Sequence, residues 1–188
     1  MSPRGLATLL LCAALFGALA APATAAGLER PDGAVVLTVA GKIARTNRGA
    51  FDPAEDLFLK YHDRQFTAAA EFDRDMLEDL GEQEVEITLP GRPAPLRVEG
   101  PRLKDLVAAV GGEGSTLTLL ALDGYASEIT WQELETLNWI VGIEVDDREI
   151  GLGQRGPLWV VYTYPDGRAL TAEDELRWPW ATFYIEIN

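Results

Sequence analysis

Apolar residues recur along this chain at two spacings, and the spacing separates its strands from its helices. "AVVLTVAG" at 34–41 is rich in β-branched residues and stops at a glycine, as a first strand does. In "EVEITLP" (84–90) Val85, Ile87 and Leu89 alternate with acids and a threonine, predicting a strand with one face to water. "STLTLLAL" (115–122), "WIVGIEV" (139–145) and "PLWVVYTY" (157–164) read as further strands, the last two separated by a turn at "DDRE" (146–149). "ATFYIEIN" (181–188) ends the chain as an alternating strand with Ala181, Phe183, Ile185 and Ile187 on one face.

Helical spacing fills the intervals. "FDPAEDLFLKYHDRQF" (51–66) predicts a helix in which Asp52 caps, Pro53 takes the first position and Glu55 completes the capping box. A short helix follows at 73–81, with Asp73 as cap, Met76, Leu77 and Leu80 on one face and Gly81 at its end. "GRPAPL" (91–96) is a proline-rich connection. Beyond Pro101, Leu103, Leu106, Val107 and Val110 share a helical face that Gly111 and Gly112 stop. "DGYASEI" (123–129) reads as a turn. Thr130 with Glu133 caps a short helix carrying Trp131, Leu134 and Leu137, and Thr171 with Asp174 suits one last helical turn. Helices and strands interleave without the strand–long-helix cadence of a doubly wound fold, so the class is mixed α/β in one domain.

The first residues have a different pattern. Arg4, an uncharged run from Gly5 to Thr24 and the small-x-small triplet Ala23-Thr24-Ala25 make a secretory signal peptide at 1–25, followed by one domain at 26–188. The expected location is the periplasm. An uncleaved anchor is the alternative, because the run approaches the length of a bilayer span. Cleavage removes Cys12, the one cysteine, and with it disulfides, thiolate ligands and cysteine nucleophiles.

Charge narrows the partners. The chain carries 16 Lys and Arg against 30 Asp and Glu, a net charge of −14. That balance opposes nucleic acid and anionic membrane faces, and no stable membrane insertion is expected after cleavage. It leaves room for a small local basic pocket.

The chemical inventory is short. His62 is the single histidine, read as a helix-surface residue, and one histidine without cysteine does not make a zinc site. Ser115 and Ser127 stand in no nucleophile elbow, so no catalytic triad and no catalytic residue is assigned. "GGEG" (111–114) follows a helix rather than opening one, and "GLGQRG" (151–156) lacks the lysine of a phosphate loop. Trp139 and Trp159 read as core. What remains is a set of polar-aromatic corners: Tyr125 after a glycine turn, Arg155 in "RGPLW", and Arg177, Trp178 and Trp180 around Pro179. Arginine suits bidentate contact with an acidic group, and Trp or Tyr suits covering a flat one.

Three segments, "EGPRLKDLVAAVG", "LTLLALDGYASEITWQEL" and "RGPLWVVYTYPDG", resemble the oxidoreductase molybdopterin-binding domain, the fold of sulfite oxidase. The likeness extends to "VAGKI" and the 72–80 region. It implies an α+β domain with a mostly β core and short flanking helices. Full enzymes of that family hold molybdenum through a cysteine thiolate, which the mature chain lacks. The resemblance therefore implies the fold without the usual cofactor, molybdopterin. The expected function is a periplasmic, non-catalytic domain binding a small anionic or flat ligand or a periplasmic protein, with Tyr125, Arg155, Arg177 and Trp180 lining a remnant pocket. A molybdopterin-dependent oxidoreductase that takes its metal without cysteine, and a structural or assembly protein of the envelope, are the alternatives.

Overall fold

The computed structural model describes residues 27–89 and 91–188; the expected signal peptide at 1–25 lies outside them. The elements begin β1 (Leu37–Gly41), α1 (Leu57–Tyr61), β2 (Ala70–Phe72), α2 (Arg74–Glu78), β3 (Glu82–Ile87) and β4 (Leu96–Pro101). They continue α3 (Leu103–Ala109), β5 (Thr116–Ala121), β6 (Ala126–Thr130), α4 (Trp131–Thr136), β7 (Asn138–Gly142) and β8 (Glu144–Val145). β9 (Trp159–Thr163), α5 (Ala172–Glu175) and β10 (Thr182–Ile187) complete a mixed α/β domain, mostly β, with a few short helices.

The last strand is the middle of the largest sheet. Its order is β2-β1-β10-β5-β6, with β10 parallel to β1 and antiparallel to β5. A three-stranded sheet, β3-β4-β8, and the pair β7-β9 complete the framework. Leu37, Leu106, Leu117, Ile140, Val160 and Ile185 belong to one continuous buried core. Across the β7–β9 pair Trp139 and Tyr162 stand directly opposite with ring centroids 4.5 Å apart, an aromatic cross-strand contact that fixes register.

The last strand departs from the simple alternation expected of it. Ile185 and Ile187 enter the main core, but the register with β5 shifts between Thr182 and Tyr184, and Phe183 packs with the buried Tyr184 on the other face rather than beside the isoleucines. Tyr184 packs in a second cluster with Leu59, Ala69 and Leu120, which covers that face. A strand central to a sheet and covered on both sides loses its period-two signature.

Three expectations are corrected. The helix expected from Asp52 starts only at Leu57: the Asp52 side chain accepts from Ala54 N–H at 2.9 Å, and Asp56 accepts from Asp52 N–H at 2.7 Å. Asp56 is also paired with Arg48, so these acids close a turn instead of capping a long helix. The "GRPAPL" connection ends in a strand, β4, held between β3 and β8. Residues 123–129 are only half a turn, because Ala126–Thr130 pairs with β5 as β6.

The other three capping signals correspond to real caps. Asp73 accepts from Met76 N–H at the start of α2, and Thr130–Glu133 and Thr171–Asp174 form capping boxes on α4 and α5.

One acidic row in the small sheet has an energetic consequence. Glu84, Glu99 and Glu144 lie abreast across β3, β4 and β8, and Glu99 Oε1 is buried with no hydrogen-bond partner among the described residues. Burial, with Asp147, Glu84 and Glu144 adding repulsion against the relief from Arg97, raises the Glu99 pKa above the ordinary glutamate range. A raised carboxylate pKa means the ionised form is disfavoured in the folded state, a penalty present at neutral pH and removed as pH falls through the folded pKa. Glu99→Gln should therefore raise the Tm at neutral pH by about 2 °C. In thermal melts the advantage should disappear below about pH 4, where wild type is itself protonated.

Candidate functional site

Three turns and one short helix build a groove of about 820 Å³ at one end of the large sheet. Its aromatic lining is Tyr125, Trp159, Trp178 and Trp180, and its polar lining is Arg155, Gln154, Asp123 and Glu175.

Tyr125 is set by the hairpin between β5 and β6. Gly124 takes φ +90°, a conformation open to glycine, and Asp123 Oδ1 accepts from Tyr125 N–H at 2.9 Å. The Tyr125 hydroxyl then donates to the Leu176 carbonyl at 2.6 Å, tying the hairpin to the end of α5. The ring is a wall of the groove and remains 43% exposed.

Arg155 is placed by the backbone on both sides of it. Its carbonyl accepts from Ala181 N–H at 2.7 Å, and Thr182 N–H donates to the Leu158 carbonyl at 3.0 Å. Gly156 passes so close to Ile150 that a Cβ would collide with the Ile150 carbonyl oxygen, so the corner requires glycine. The Gly156–Pro157 peptide is cis. The Arg155 guanidinium lies over the Trp159 ring, 4.6 Å from its centroid. Among the described residues no carboxylate lies within ion-pair distance of it.

Trp159 and Trp178 meet edge to face with centroids 6.1 Å apart and form the floor, whereas Trp180 is 52% exposed at the rim. The Trp178 indole N–H is buried without a partner among the described residues. Trp159 is thus both core, as its sequence pattern indicates, and groove lining.

Arg177 is placed elsewhere. It is outside the groove lining and pairs with Glu133 of α4 at 2.7 Å, with its guanidinium 5.8 Å from the Tyr162 centroid. A carboxylate partner already supplied by the fold makes it a clamp between α4 and the chain after α5. Its carbonyl also accepts from the Ser127 hydroxyl at 3.0 Å.

Beneath the groove Asp174 is the polar anchor of α5. It is buried and accepts from the Tyr162 hydroxyl at 2.5 Å, the Tyr164 hydroxyl at 2.6 Å and Thr171 N–H at 2.7 Å. Burial alone would raise its pKa; the donors from Tyr162, Tyr164 and Thr171 outweigh that and hold it at about 2. Sequence reading finds this residue only as a cap, because Tyr162 in β9 and Tyr164 just past its end lie 12 and 10 residues away, beyond any local spacing rule.

His62 is not the surface residue expected. It is half-buried, with Phe58 at 4.7 Å, Tyr61 at 5.1 Å and Phe183 at 5.5 Å between centroids. Among the described residues no group of three or more His, Cys, Asp and Glu is arranged to hold a metal ion.

The groove's donor set does not fit a molybdenum pyranopterin. It offers no thiolate, and its charged lining is one guanidinium, Arg155, against the carboxylates of Asp123 and Glu175. What the groove can do is cover a flat or apolar body with tryptophan faces while Arg155 holds an acidic group at one end.

No protein-family model matches this chain, and no curated protein matches it.

Proposed function

We propose that this chain is a periplasmic, non-catalytic binding domain with the oxidoreductase molybdopterin-binding fold of the sulfite oxidase type. Its ligand is a small molecule with a flat or apolar body and one acidic group, carried free or as part of a periplasmic protein. The observation that carries the reading is Arg155, stacked on Trp159 without a carboxylate partner, at a groove walled by Tyr125 and Trp180. Arg177 is paired with an acid, Glu133, that the fold supplies; Arg155 is held in place by its backbone and by an aromatic face. The mostly β architecture with short flanking helices supports the family reading.

Two measurements check the assignment of place and cofactor. Protein recovered from the periplasm should have lost about 25 residues by intact mass, following the small-x-small cleavage rule. Full-length mass with stable membrane association would replace export by anchoring. The same native material should carry molybdenum far below one atom per chain, because the mature chain has no thiolate to hold it. Stoichiometric molybdenum with an extractable pterin would make the protein an oxidoreductase.

A further inference from the structure

Gln154 and Arg155 also border a second cavity, of about 510 Å³, on the other side of their corner. Its charged lining is Arg92, Arg148 and Arg155 with Asp146 and Glu149. None of the three guanidiniums lies within ion-pair distance of a carboxylate among the described residues. The two acids are already engaged: Asp146 Oδ1 accepts from Arg97 N–H at 3.0 Å, and Glu149 Oε1 lies 3.6 Å from Arg74 Nε. Asp147, the next acid along the turn, is paired with Arg97. In a chain with 30 acids against 16 bases, a lining of three guanidiniums, one of them the Arg155 group stacked on Trp159, against two carboxylates is locally positive.

Each of these arginines stands on a separate hydrogen-bonded turn. Arg148 closes the hairpin after β8, where Val145 N–H donates to the Arg148 carbonyl at 2.8 Å and Arg148 N–H returns to Val145 at 3.2 Å. Arg92 N–H donates to the Leu89 carbonyl at 3.1 Å, and the Arg155 carbonyl accepts from Ala181 N–H at 2.7 Å. Guanidiniums offered from three turns present several N–H edges at once, which a tetrahedral dianion can satisfy better than a planar carboxylate.

We propose that this cavity, which meets the aromatic groove at the Arg155 corner and whose own guanidiniums are Arg92 and Arg148, is an oxyanion site of the phosphate class occupied by inorganic phosphate or by the phosphate of a small soluble ester. A bilayer headgroup shares the chemistry, but the chain's net charge of −14 opposes approach to an anionic surface.

Calorimetric titration of the mature protein with inorganic phosphate at constant ionic strength tests the site, and sulfate serves as a second tetrahedral probe. Saturable binding of one phosphate per chain is expected. Arg92→Ala and Arg148→Ala should each weaken it about tenfold, the loss of one charge-assisted contact, and the double variant should abolish it. Neither residue is in an ion pair, so thermal melts of both variants should match wild type. Lys104→Ala removes the same charge from a different cavity and should bind phosphate as wild type does. Absence of saturable phosphate and sulfate binding overturns the proposal, as does a Lys104→Ala loss equal to that of Arg148→Ala, which would mean diffuse attraction. Arginine-dependent binding to vesicles of phosphatidic acid, without binding of free phosphate, overturns the soluble source and assigns the site to a headgroup. Arg92→Ala and Arg148→Ala leave the aromatic groove's lining intact, so failure here and failure of the groove reading are separable.

Discussion

Asp174→Asn should destabilise the folded domain by about 3 kcal/mol, because the amide keeps the volume of the carboxylate but cannot accept from all of its donors. The Tyr162 hydroxyl is buried, and it and the Tyr164 hydroxyl both donate to Oδ1 of Asp174 while the Thr171 N–H and hydroxyl donate to Oδ2. An amide oxygen can serve one side, which leaves an N–H facing N–H or O–H donors on the other. Denaturant melts near neutral pH measure the loss directly.

The pH dependence has a definite sign. Asp174 titrates at about 2 in the folded protein against an ordinary value of 3.8. A depressed carboxylate pKa adds stability that is complete above the unfolded value and lost as pH falls through the folded one. The contribution is about 2 kcal/mol. Wild type should therefore lose stability between about pH 4 and pH 2 more steeply than Asp174→Asn, and the two curves should converge at the acid end. Curves that stay parallel would mean the carboxylate is not the acceptor that holds α5. Tyr162 moves the opposite way: burial first, then its bond to Asp174, pushes its pKa up, so at neutral pH it is a protonated donor.

What could be read from the chain follows from how local each signal is. The Thr130–Glu133 and Thr171–Asp174 caps and the amphipathic face of α3 depend on residues a few positions apart, and they are legible. β4 is not: Pro93, Pro95, Gly100 and Pro101 oppose a strand locally, and only pairing with β3 and β8 imposes one. β2 is three residues long and leaves no periodic trace. At the site Tyr125, Arg155 and Trp180 were recognisable as polar-aromatic corners, and the fold brings them to one groove. Arg177 has the same sequence appearance as Arg155. Only the chain's return past α4 brings Glu133 to it, and no spacing rule encodes that meeting. The role of Trp178 as floor was hidden for the same reason, since it depends on its contact with Trp159.

The largest functional effect should come from Arg155→Ala. The side chain makes a cation–π contact with Trp159 and no ion pair among the described residues, so its removal should lower the Tm by no more than about 3 °C. A structural arginine buried against an acid would instead cost about 3–5 kcal/mol on removal, by stranding its partner. Three of the five tryptophans, Trp159, Trp178 and Trp180, line the groove, which makes intrinsic fluorescence a direct reporter of occupancy. The decisive measurement is a fluorescence titration of wild type and Arg155→Ala with benzoate and salicylate, run beside ligand-free melts. The account predicts saturable quenching in wild type by at least one of these flat anions, its loss in Arg155→Ala, and nearly equal melting temperatures. Equal quenching in both proteins, no saturable response in wild type, or a collapse of the Arg155→Ala melting temperature without ligand would contradict it.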